Sequence, residues 1–173
     1  MAVEIDSQLG LYISVPFCRS KCTYCNFASG VYPASEHGRY VEQLVEEMRE
    51  AGDWVRKMGV ELPRKVDTIY LGGGTPSLLE PELMTKLFAA IRAEFDVERD
   101  AEITVECAPG QVADATLESM ATAGVNRASF GVQSFVNSEA KGSGRLHTGA
   151  VARQDIERMR AAGITNLNVD LIA

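Results

Sequence analysis

No apolar run in this sequence approaches the ~20 residues that a membrane-crossing helix needs, so an integral membrane protein is not expected. Basic residues are outnumbered: 17 Lys and Arg stand against 24 Asp and Glu, leaving a net charge of −7. Phosphate backbones are held by clustered Lys and Arg, so nucleic acid is not an expected partner. Met1–Gly10 contains two acids and no basic side chain, unlike the charged start of a secretory signal. These absences make a reducing, cytoplasmic compartment the expectation. Low-complexity tracts and obvious linkers are also lacking, and 173 residues suffice for one domain with its own core.

Cysteine is scarce and unevenly placed. Of four, Cys18, Cys22 and Cys25 fall within eight residues. In a reducing cell such crowding points to a metal site rather than to a disulfide framework.

The rest of the chain alternates strand and helix patterns. Strands are expected at Leu11–Pro16, Val66–Leu71, Ile103–Glu106, Arg127–Val132 and Leu167–Ile172. Val41, Leu44, Val45 and Met48 recur at helical spacing within a helix over 37–58. Met84, Leu87, Phe88, Ile91 and Phe95 mark the face of a second helix, with Pro81 in its first turn. Asp114 is placed to cap a third helix running through Met120, and Thr148 a fourth running through Met159. Met120-Ala-Thr-Ala-Gly124-Val and Met159-Arg-Ala-Ala-Gly163-Ile repeat one pattern 39 residues apart, each ending a helix and feeding a strand. Repeated βα units of this kind predict an α/β fold: a parallel sheet with helices outside, as a barrel or a doubly wound sheet.

Cys18-Arg-Ser-Lys-Cys22-Thr-Tyr-Cys25 has the spacing C-x3-C-x2-C. Three thiolates on one loop suit three corners of a [4Fe–4S] cubane and leave the fourth iron open to a small molecule. The alternatives are a structural zinc site, whose fourth ligand would come from the distant Cys107, His37 or His147, and unliganded thiols. Ligands of parallel βα folds gather at the carboxyl ends of strands. The five expected strands end near usable groups there: the cysteines, Gly72-Gly73-Gly74 with Thr75, Glu106, Gln133, and Asp170 within the last strand. His37, at a helix start, is expected at the surface, and His147 is expected to be structural. Trp54 and the methionines read as core or docking surface.

The cysteine spacing, with Tyr24 before the third cysteine, resembles the radical S-adenosylmethionine (SAM) signature. Longer strings resemble the oxygen-independent coproporphyrinogen III oxidase family, particularly its heme-chaperone branch. These are Tyr12-Ile-Ser-Val-Pro-Phe-Cys18, Ile69-Tyr-Leu-Gly-Gly-Gly-Thr-Pro-Ser-Leu-Leu79, Gly124-Val-Asn-Arg-Ala-Ser-Phe-Gly-Val-Gln-Ser-Phe135, Gly144-Arg-Leu-His-Thr148 and Asn168-Val-Asp-Leu-Ile172. The resemblance implies a partial (βα) barrel of the radical SAM type with about five strands and four helices. It implies a cluster on Cys18, Cys22 and Cys25 and a SAM site at Tyr12, Tyr24, Gly73, Gly74, Thr75, Glu106, Gln133, Arg145 and Asp170. It further implies heme or a porphyrin as ligand, an electron-donor protein, and membrane respiratory proteins as recipients of heme.

Two local departures bear on function. The oxidases proper carry a further cysteine two residues after the third cluster cysteine, where this chain has Phe27. That favours a heme chaperone over the decarboxylating oxidase. Cys107 reads as a small residue at a strand end, with the alternative of a substitute ligand to the open iron. The family continues past the fifth strand into more barrel and a carboxyl-terminal domain. A chain ending at Ala173 is therefore expected to be the amino-terminal part of the radical SAM core, with the sheet left open.

Overall fold

The computed structural model describes residues 8–172; most of the acidic amino-terminal stretch, and Ala173, lie outside the described residues. Strands β1 (Leu9–Val15), β2 (Lys65–Gly73), β3 (Asp96–Cys107), β4 (Arg127–Gln133) and β5 (Asn166–Leu171) form one sheet in the order β1-β2-β3-β4-β5. Every neighbouring pair is parallel. Helices α1 (Ser35–Lys57), α2 (Pro81–Glu94), α3 (Asp114–Thr122), α4 (Asn137–Gly142) and α5 (Gly149–Ala161) occupy the connections. A doubly wound sheet reverses its strand order at a switch point. This sheet never reverses, which is the winding of a barrel, and β1 and β5 remain unpaired with each other.

Strand alternation divides the sheet into two chemically distinct faces. Val15, Ile69, Leu71, Ile103, Val105, Ala128, Phe130 and Val132 are buried on the helix-covered face. They meet Val41 and Val45 of α1, Met84, Leu87, Phe88 and Ile91 of α2, Met120 of α3, and Ala152 and Met159 of α5 in one core. The opposite face is polar or small. Cross-strand register puts Tyr12, Tyr70, Thr104, Arg127 and Asn166 in one row, and Glu106, Ser129 and Asn168 in the next.

The internal repeat is a repeated helix ending. Gly124 and Gly163 adopt φ of 84° and 88°, a conformation that costs other residues a Cβ clash. Val125 N–H donates to the Met120 carbonyl, and Ile164 N–H to that of Met159, each at 3.0 Å. Both are Schellman endings, which turn the chain from helix back into strand.

Three expectations need correction. Asp114 does not cap α3: it is the first helical residue, the cap position is Ala113, and the Asp114 carboxylate pairs with Arg158. The third strand begins at Asp96 rather than Ile103. Its polar start pairs with Lys65 and Val66 before the register slips to Thr68↔Glu102. A fifth helix, α4, lies between β4 and α5; six residues with only Ala140 buried carry no apolar periodicity to read. Thr148 does cap α5, its side chain accepting from Val151 N–H at 3.3 Å.

One buried ion pair fixes the loop that follows β3. Asp155 of α5 accepts from Gly110 N–H at 2.6 Å and from Arg158 at 2.6 Å, and Arg158 also donates to the Val112 carbonyl at 2.9 Å. With a donor on each of its oxygens, the buried carboxylate holds that loop against α5.

Candidate cluster and cofactor site

The carboxyl ends of the strands surround a cavity of about 370 Å³. Cys18, Cys22, Tyr24, Cys25, Gly73, Gly74, Thr75, Glu106, Gln133, Arg145 and Asp170 all line it. The structure therefore brings together every expected site residue except Tyr12. That side chain is 64% exposed and stacks on Tyr70, ring centroids 5.8 Å apart, one row below the rim.

The cysteine loop is anchored by the glycine turn. Gly74 N–H donates to the Val15 carbonyl at 2.8 Å and Thr75 N–H to that of Phe17 at 2.7 Å. A Cβ on Gly74 would lie 2.6 Å from the Phe17 oxygen, so glycine is required by the loop itself. Beyond this anchor, all three cysteines are half-buried and unbridged. Burial pushes the Cys25 thiol up, but the Phe27 amide, the Ser29 hydroxyl and Lys21 outweigh it and bring the thiol below its ordinary value. Among the described residues no three Cys, His, Asp or Glu side chains already converge as a mononuclear site requires. A cubane takes each thiolate on a different iron and asks only that they share one wall.

The proposed fourth zinc ligands are otherwise engaged. Cys107 lines the cavity, but its buried thiol lies 3.7 Å from the Val105 carbonyl and burial pushes it up to about 12. His37 is buried at 8% exposure, not at the surface as expected. It stacks on Phe17 with centroids 4.0 Å apart and its Nδ1 lies 3.0 Å from Glu80 Oε2, because the first turns of α1 fold onto the segment leaving β1. His147 is buried with Nε2 3.1 Å from the Val132 carbonyl; desolvation, then Arg145, pushes its pKa down.

The same cavity is lined by groups suited to a polar ligand. Glu106 accepts from the Tyr70 hydroxyl at 2.9 Å and from Gly73 N–H at 3.1 Å. Burial raises its pKa, those two donors lower it, Asp170 raises it, and the net shift is upward. A carboxylate has about four lone-pair sites, so Glu106 retains acceptor capacity toward the cavity. Asp170 accepts from Ser129 Oγ at 3.2 Å and from Asn168 Nδ2 at 2.7 Å, which fixes its orientation at the edge strand. Arg145 lies across β4 where a Cβ on Gly131 would collide with its guanidinium. Among the described residues Arg145 pairs with no carboxylate, and its buried Nε has no partner. A cation with an orphaned donor in a cavity fits an anionic ligand group.

Gln133 is the only non-glycine with positive φ among the described residues, at 66°. Register slips there between Gly131 and Gln133, and Ile172 N–H donates to the Gln133 carbonyl at 3.0 Å. The left-handed conformation costs a residue with a Cβ roughly 1–2 kcal/mol, and such strain concentrates at ligand sites. Gln133→Gly is expected to keep or raise stability by up to about 1 kcal/mol while weakening ligand binding. Urea unfolding checks the first part; a clear destabilisation contradicts the strain.

Sequence reasoning missed Tyr70, Ser129 and Gln111, which also line the cavity. Tyr70 and Ser129 were legible from strand alternation, since each shares a face with a site residue. Gln111 lies in an irregular loop and gave no such signal, although its Oε1 is buried without a partner among the described residues.

A radical SAM superfamily model matches residues 12–173. The chain belongs to the radical SAM superfamily. That superfamily implies a [4Fe–4S] cluster and SAM, and the donor set fits both: three thiols line one cavity together with oriented carboxylates and a guanidinium that pairs with no carboxylate among the described residues. Among similar proteins is the heme chaperone HemW of Lactococcus lactis, 38% identical over 93% of this chain and 40% of its own length. An oxygen-independent coproporphyrinogen III oxidase of Bradyrhizobium diazoefficiens is 35% identical over 94% of this chain and 35% of its own. Among solved structures, the radical SAM enzyme coproporphyrinogen III oxidase (HemN) of Escherichia coli superposes with a TM-score of 0.84. It is 27% identical, over 95% of this chain and 37% of that one. The chain thus spans about two fifths of the length of these relatives. No described helix is long and apolar enough to cross a membrane.

Proposed function

We propose that this radical SAM chain is the amino-terminal, cluster-binding part of the core domain of a cytoplasmic heme chaperone. Phe27 carries the reading. By the family resemblance it stands where the oxidases proper carry a further cysteine, and here it is an exposed phenyl ring (65%) lining the cavity. With Leu146, also exposed, it offers apolar surface at the mouth, which suits a porphyrin face. Likeness to HemW supports the reading.

Cys18, Cys22 and Cys25 would hold the cluster. Arg145 would take the carboxylate of SAM; Glu106, Gln133 and Asp170 would accept from or donate to its remaining polar groups. When bound, the pair supplies one-electron reductive chemistry at the sulfonium of SAM. The residues of this chain bind and orient it: the glycine turn sets the loop, Tyr70 and Gly73 fix Glu106, and Ser129 and Asn168 fix Asp170.

The second reading, oxidation of coproporphyrinogen III to protoporphyrinogen IX, is favoured by the similarity to the oxidases. One assay separates them, run on the chain joined to the native sequence that follows it. The loaded protein is expected to bind heme, read by absorbance, and to leave coproporphyrinogen III unconverted with reductant and SAM, read by porphyrin fluorescence. Phe27→Cys alone is expected not to create turnover, since substrate positioning supplies much of a rate enhancement. Turnover well above a Cys22→Ala control overturns the chaperone reading.

A further inference from the structure

The cysteine loop is closed at its neck. Phe17 and Gly30 form an isolated bridge, Cys18 N–H donates to the Gly30 carbonyl at 2.9 Å, and Gly30 N–H donates to the Pro16 carbonyl at 2.9 Å. Between these bonds the loop holds no helix or strand and two backbone bonds, Cys25 N–H to the Cys22 carbonyl at 3.2 Å and Ser29 N–H to the Phe27 carbonyl at 2.8 Å, so side chains share in setting its shape. Lys21 supplies one. Its ammonium donates to the carbonyls of Phe27 at 2.7 Å and Ser29 at 2.9 Å, and to Ser29 Oγ at 3.2 Å. An ammonium has three N–H donors, so all are spent inside the loop.

This use of lysine is unusual. An exposed lysine ordinarily leaves its head in water, because holding it still costs up to about 2 kcal/mol of rotamer freedom. Lys21 is exposed, yet its head is fixed by the loop's own backbone. Ser29 Oγ, which receives that head, lies 3.9 Å from Cys25 Sγ. Ammonium, hydroxyl and third thiol therefore stand in sequence, and Lys21 lines the same cavity as the three cysteines.

We propose that Lys21 is a positioning residue for the iron–sulfur cluster: it folds the stretch around Cys25 before metal arrives, and its fixed positive charge raises the reduction potential of the bound cluster. The inference rests on the reading that Cys18, Cys22 and Cys25 hold a cubane. Reduction adds one negative charge to the cluster, and a nearby cation stabilises the reduced state more than the oxidised one. Net charge and hydrogen bonding around the sulfurs are among the factors that set such potentials. Arginine keeps the charge but brings a planar fork that cannot reproduce a three-point ammonium cage.

Two measurements test it. The first is a redox titration, followed by electron paramagnetic resonance, of cluster-loaded wild type, Lys21→Met and Lys21→Arg. Lys21→Met is expected at a clearly more negative potential, and Lys21→Arg closer to wild type. An unchanged potential in a fully loaded Lys21→Met protein overturns the electrostatic part. The second is amide hydrogen exchange in the metal-free proteins. Losing the cage is expected to speed exchange at Ser29 and Gly30 about tenfold in Lys21→Met, the equivalent of one hydrogen bond. Equal exchange overturns the folding part, whether or not that variant loads cluster. A wild-type protein that loads no cluster removes the underlying reading and the proposal with it, and is recognised before any variant is compared.

Discussion

Replacing any one of Cys18, Cys22 or Cys25 with Ala is expected to abolish cluster loading, while Cys107→Ala leaves it intact. Each thiolate in a site-differentiated cubane holds its own iron, so losing one leaves two irons without a protein ligand and the loop with a two-point grip. The three cysteines face one cavity on a loop anchored by Gly74 and Thr75. Cys107 has the opposite character: buried, beside the Val105 carbonyl, and far less acidic than an ordinary thiol. Anaerobic reconstitution followed by iron and sulfide analysis is expected to give close to four of each for wild type and for Cys107→Ala. Stoichiometric zinc in place of iron, or loss of cluster only in Cys107→Ala, contradicts this assignment.

How far the sequence reached depends on the kind of signal. The strand–helix alternation and the Schellman glycines Gly124 and Gly163 were readable because local chemistry sets them. The cysteine loop was readable because its spacing is itself the constraint. His37 was misread because its burial comes from Phe17 and Glu80, which lie outside its own helix. The short helix α4 lacks a periodic face, and the start of β3 is mostly polar and held by its strand pairing, so neither writes a hydrophobic pattern. Gln133 was readable as a strand-end amide, but its left-handed backbone was not, since nothing but the register slip against β5 requires it.

The second large effect is expected at the rim. Arg145→Ala and Asp170→Ala should each weaken SAM binding tenfold to about a hundredfold, the loss expected for a hydrogen bond to a charged group. Arg145 brings a guanidinium that, among the described residues, pairs with no carboxylate and whose buried Nε has no partner, so its natural counterpart is a carboxylate from the ligand. Asp170 is oriented by Ser129 and Asn168, and Ser129→Ala should therefore reproduce part of its loss. His37→Ala is the control: its ring packs on Phe17 away from the cavity lining, so affinity should stay within about twofold while stability falls. Anaerobic equilibrium dialysis with labelled SAM reads all four. Equal affinities for wild type and Arg145→Ala would remove Arg145 from the site.

The central claim is that the cysteine loop and the strand-end rim form one composite site, cluster on one wall and SAM against it. Electron paramagnetic resonance of the reduced, loaded protein, recorded before and after adding SAM, tests this most directly. The account predicts a changed spectrum on addition, and little or no change in Arg145→Ala or Asp170→Ala at the same concentration. An unchanged wild-type spectrum, from a protein shown to hold four irons and four sulfides, would contradict it.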